Sequence, residues 1–114
     1  MPFIDSKITL KLSEGKKEKI KSELGKIIST IPGKSESWLM VGINDDYRLY
    51  FKGEKKDKAA FVEVKIYGSA DKNSKDKVTS LICSLYEKEL DIAKDSVYVT
   101  FQEIQDWGWN GGLF

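Results

Sequence analysis

An α/β chain of the two-layer α+β kind, with duplicated β-α-β units forming a four-stranded mixed sheet under two helices on one face, is the fold class this sequence predicts. Three observations lead to it. A strand-like alternation is followed by a helix-like apolar stripe and then by more strand-like runs; that order occurs twice; and the two halves are nearly equal in length. One domain spanning 1–114 is expected, large enough for a core of its own.

The first strand is read in "FIDSKITL", where Ile4, Ile8 and Leu10 share one face and Asp5, Lys7 and Thr9 the other. Ser13 then offers a helix N-cap, and Ile20, Leu24, Ile27, Ile28 and Ile31 make an apolar stripe that ends at Pro32 and Gly33. "WLMVGI" and "RLYF" read as two short strands joined by the turn residues of "NDDY". In the second half "AAFVEVKIYG" is a strand, Ser74 a cap, and Val78, Leu81, Ile82 and Leu85 the next helical stripe. "SVYVTF" supplies a last long strand before the glycine-punctuated tail "WGWNGG". Two helices cover only one face of such a sheet. The other face is expected to carry apolar and aromatic residues and to be covered by further copies of the chain in a closed ring.

Composition removes several kinds of chemistry. Histidine is absent and Cys83 is the single cysteine, so no Ser/His or Cys/His nucleophile pair, no zinc site of Cys and His, no intrachain disulfide and no C-x-x-C redox pair can be built. Cys83, in "SLICSLY", is expected to pack as a small hydrophobe. Lys and Arg number 19 against 18 Asp and Glu, and no aromatics interleave with the lysine-rich runs, so nucleic acid is not an expected partner. Neither a secretory signal nor an 18-residue apolar run is read in the chain; no membrane partner is expected, and a cytoplasmic location is the default.

Four local features coincide in order along the whole chain: "MPF" at the start, "PGKSESWLMV" after the first helix, "KIYG" closing the middle strand, and "SVYVTF" with "WGWNGGLF" at the end. Together they resemble the macrophage migration inhibitory factor family and its tautomerase relatives. The resemblance implies a homotrimeric barrel with active sites at subunit interfaces, and no cofactor. It implies Pro2 as general base once Met1 is removed, Lys34 as the cation beside it, and the Tyr67 backbone N–H as a donor to a substrate carboxylate. Tyr98 matches a tyrosine supplied by the neighbouring subunit, Thr100 stands at the place of a pocket asparagine, and Trp107 and Trp109 fall on the pocket wall. Trp38 is assigned to ordinary core or interface packing.

These residue types suit proton transfer between carbon and oxygen. General-base efficiency is greatest when the base's pKa is near the working pH. A lysine at ~10.4 is mostly protonated there, whereas an α-amine starts near ~8, and burial or a neighbouring cation lowers it further. Aromatic walls favour an apolar tail, so a phenylpyruvate-like keto/enol acid is the expected substrate. The same resemblance carries a second expectation, a cytokine-like protein that binds a receptor after export without a signal peptide, its pocket a vestige.

Overall fold

Alternation in the first strand and the 3.6-residue stripe after it produce the first half of the fold. The computed structural model describes Met1–Phe114. Strand β1, Pro2–Ile8, turns Pro2, Ile4, Ser6 and Ile8 inward, and helix α1, Glu14–Ile28, lays Ile20, Leu24, Ile27 and Ile28 over them. Ser13 caps α1 by accepting from the Lys16 N–H at 3.1 Å. The helix stops at Ile28 rather than running to the Pro-Gly pair, because Thr30 and Ile31 tighten back onto the carbonyls of Ile27 and Ile28; Ile31 still reaches the core. A one-turn 3-10 segment, Glu36–Trp38, then leads into β2, Met40–Asn44, parallel to β1.

The second half repeats this plan. Strand β5, Ala60–Tyr67, runs antiparallel to β1, helix α2, Lys72–Leu90, crosses the same face, and a 3-10 segment, Lys94–Ser96, enters β6, Val97–Ile104, parallel to β5. Sheet order is β2-β1-β5-β6. The repeat holds residue for residue: the caps Ser13 and Asp71, the strand starts Pro2 and Ala60, and the 3-10 starts Glu36 and Lys94 are each 58 residues apart. Phe3 pairs with Met40 and Phe61 with Tyr98, one offset of 37 residues in both halves. An approximate two-fold axis therefore passes between Asp5 and Glu63, which face each other across β1 and β5.

Four expectations change. Asp71, not Ser74, caps α2; its carboxylate accepts from the Ser74 N–H at 2.6 Å, a charge-assisted bond, and Ser74 lies inside the first turn. Leu81 faces solvent, and Tyr86 and Leu90 extend the buried stripe instead. "RLYF" yields only β3, Tyr50–Phe51, which folds back on β4, Glu54–Lys55, across Lys52 and Gly53, both with positive φ, and joins no strand of the main sheet. The uncovered sheet face is apolar only toward its ends, with a centre of Asp5, Lys7 and Glu63 joined by ion pairs.

The tail closes with β7, Gly108–Trp109, paired to β8, Gly112–Leu113, around Asn110 and Gly111. Their φ values of 53 and 88 degrees fit a primed two-residue turn, for which Asn-Gly is the favoured sequence.

Candidate active site

Pro2 is buried at the head of β1, opposite Ile66 of β5, so the register places the chain terminus beside Tyr67. The Tyr67 backbone is held from two sides. Its N–H donates to the Met1 carbonyl at 2.9 Å, and its own carbonyl accepts from Lys34 Nζ at 2.7 Å. Lys34 reaches this point because the turn Ile31–Lys34, closed by the Lys34 N–H on the Ile31 carbonyl and by Gly33 at φ 82, reverses the chain after α1. The Met1 α-amine beside it has its pKa lowered, first by burial and then by the Lys34 charge.

A cavity of about 680 Å³ opens at this end of the uncovered face. Pro2 and Phe3 form its base, with Trp107 and Trp109 on its wall. Trp38 is not a core residue: the 3-10 segment before β2 keeps it out of the sheet, and it stands half-exposed on the cavity wall, edge-on to Trp109 at 5.2 Å. Phe114 continues the aromatic cluster, stacked on Trp109 at 6.1 Å and tilted against Tyr67 at 5.3 Å. Met40, Lys65 and Asp106 also line the cavity and were not singled out in the sequence. The only local signal for Trp38 and Phe114 was that large aromatics stood outside any amphipathic stripe.

Pro2, Trp107 and Trp109 thus line one cavity, and Lys34 and Tyr67 meet at the Met1 carbonyl beside it without lining it. The chain does not bring Tyr98 or Thr100 to them. Pro2 pairs with Ile66, which pairs with Glu103, whereas Tyr98 pairs with Phe61 and Thr100 with Glu63. At ~3.3 Å per residue, Tyr98 lies ~17 Å along the sheet from the Pro2 level. There it packs edge-on against Phe51 and Phe61 at 5.3 and 6.2 Å, with 57% of its surface exposed. Thr100 is exposed between them, on the same face.

Comparison with known proteins places this geometry. MIF2 of Leishmania major superposes with a TM-score of 0.92 at 27% identity, over 100% of this chain and 97% of that one. An MIF-like protein of Entamoeba histolytica gives 0.88 at 25% identity, over 99% and 98%. A fused 4-OT described as an asymmetric trimer shares the fold, with a TM-score of 0.86 at 12% identity over 97% of this chain and 94% of that one. No curated protein sequence matches the chain. The family model described as "Macrophage migration inhibitory factor (MIF)" matches residues 1–114, every residue of the described structure. With its two β-α-β units, its terminal proline and its aromatic cavity in place, this chain belongs to the macrophage migration inhibitory factor family.

Proposed function

We propose that the protein is a cofactor-independent keto-enol tautomerase acting on 2-oxo acids of the phenylpyruvate type, with Pro2, freed by loss of Met1, as the general base. One observation carries the reading. The Met1 α-amine sits partly buried beside the Lys34 ammonium, and both influences lower its pKa; a Pro2 amine freed by loss of Met1 would lie one residue further into the same surroundings. With Met1 attached the Pro2 nitrogen is a tertiary amide without a basic lone pair, so processing is a condition of the mechanism.

In that mechanism the Pro2 amine takes a proton from the carbon next to the ketone, and the proton returns at oxygen to give the enol. Lys34 and the Tyr67 N–H bind the substrate carboxylate, and Trp107 and Trp109, joined by Trp38 and Phe114, hold the aromatic tail away from water. We propose further that three copies close around the uncovered faces, each lending Tyr98 and Thr100 to a neighbour's site. The exposure of Tyr98 and its distance from its own Pro2 support this.

Intact mass spectrometry followed by the ultraviolet assay of phenylpyruvate enolisation tests the base. Chains lacking Met1 are expected to turn over phenylpyruvate, and Pro2→Gly to lose about a hundredfold or more in kcat/KM. An unchanged rate in Pro2→Gly would overturn the proposal. Light scattering that returns the mass of one chain would remove the shared site.

A further inference from the structure

We infer that the cavity selects 2-oxo acids carrying a second anionic group on the tail, and that Lys65 is the residue that selects them. This rests on the tautomerase reading for the reacting end of the substrate and goes beyond it for the far end.

The inference comes from the unequal fates of two lysines. Around the two-fold axis Asp5 and Glu63 face each other, and Lys7 and Lys65 occupy equivalent positions 58 residues apart, each two residues beyond one acid. Only one lysine takes the acids. Lys7 Nζ lies 3.2 Å from Asp5 Oδ2 and 3.1 Å from Glu63 Oε1, while Asn44 Nδ2 donates to the other Asp5 oxygen at 3.0 Å. Lys65 makes no hydrogen bond and no ion pair; its ammonium stands 6.0 Å from the centre of the Phe3 ring, on the wall of the Pro2 cavity. Asp106, the one acid lining that cavity, forms no ion pair with it.

Within one chain Lys65 is therefore a cation without an ion-pair partner, in a cavity whose walls are mainly aromatic and apolar. A cation over a Phe face is held weakly and retains donors for an oxyanion. With the substrate's first carboxylate assigned to Lys34 and Tyr67, Lys65 is left to meet a carboxylate or other oxyanion at the tail. An uncharged phenyl tail leaves that donor set unused. The occupant that satisfies both ends is a 2-oxo acid with an anionic tail.

Two probe pairs test this. Phenylacetate and 4-carboxyphenylacetate, inert to the reaction, are titrated against the fluorescence of the cavity tryptophans. Phenylpyruvate and 4-carboxyphenylpyruvate are compared by kcat/KM. The wild type is expected to favour the carboxylated member of each pair about tenfold, and Lys65→Gln to abolish that preference, read as the ratio within each pair. Lys7→Gln, which releases both carboxylates to draw Lys65 out of the cavity, is expected to lower the preference with Lys65 intact. No preference in the wild type, or a preference that survives Lys65→Gln, overturns the inference. Binding preference without turnover of either substrate would instead overturn the tautomerase reading and leave the role of Lys65 standing.

Discussion

Where β1 begins, Pro2 heads the strand, Gly33 turns the chain at φ 82 and Lys34 reaches the terminus. Where β5 begins, 58 residues later, Ala60 holds the place of Pro2, Asp91 turns at φ 55, and the counterpart of Lys34 is Ile92, fully buried. Trp38 has Ser96 as its counterpart. The backbone builds the same corner twice. What separates a candidate active site from a structural corner is a chain terminus, one cation and a few aromatics, because at Ala60 the chain runs on and its nitrogen is an amide that no processing can free. The cavity at the second end is correspondingly small, about 70 Å³. A core contact differs in the same way: Ser6 and Tyr86 share a buried hydrogen bond of 2.5 Å, whereas their counterparts, Val64 and Ile28, are both apolar.

The largest effect is expected from making the first end chemically like the second. An extension that blocks Met1 removal turns Pro2 into an internal residue, and tautomerase activity should fall by ~10²–10⁴ while the fold and the thermal midpoint are kept. Full activity in a chain shown by mass to retain the extension would break the comparison. Next in size, Ile92→Ala opens a hole under the second corner and should cost about 2–5 kcal/mol in denaturant unfolding, with kcat of the folded fraction unchanged.

Lys34→Ile copies the second corner into the first. The Lys34 charge helps burial to lower the pKa of the Met1 amine; if it acts in the same way on a Pro2 amine, removing it raises that pKa and leaves less free base at neutral pH. The acidic limb of the kcat/KM profile should move to higher pH and the value near neutrality should drop roughly tenfold. A profile that falls without moving would limit Lys34 to binding.

An effect of similar size concerns the polar contact in the core. Ser6→Val strands the Tyr86 hydroxyl and should cost about 1–3 kcal/mol, and the double variant Ser6→Val, Tyr86→Phe should recover most of it, since the counterpart pair is stable without polar atoms. Burial pushes Tyr86 up to about 12. Its ionisation is thus harder in the folded chain than in the unfolded one, where tyrosine titrates near ~10. The stability this contributes is present below about pH 10 and lost as pH rises toward 12. Thermal midpoints measured across that range should fall less steeply in Tyr86→Phe than in the wild type.

Elements governed by near neighbours were legible in the sequence: the alternation of Ile4 and Ile8, the Ser13 cap and the stripe from Ile20 to Ile28 depend on residues a few places apart. Features that depend on register were not. Nothing near Lys65 reveals that it lies opposite Phe3, since that pairing comes from strands 62 residues apart. The short reach of "RLYF" was hidden because β-propensity alone does not say which strand, if any, will accept it. Pro2, Lys34 and Tyr67 were found through the ordered motifs of the whole chain, whereas Trp38 was set aside because an aromatic before a strand looks like core until its 3-10 segment is seen.

The hydrogen bond from the Tyr67 N–H to the Met1 carbonyl has a consequence for timing. On the reading above, the unprocessed chain keeps an oxygen of its own where a substrate carboxylate would bind, and an amide where the base would be. It is latent twice over, short of one donor for the acid and unable to deprotonate it. A single cleavage lifts both blocks at once, so tighter binding of the acid and the means to turn it over arrive together.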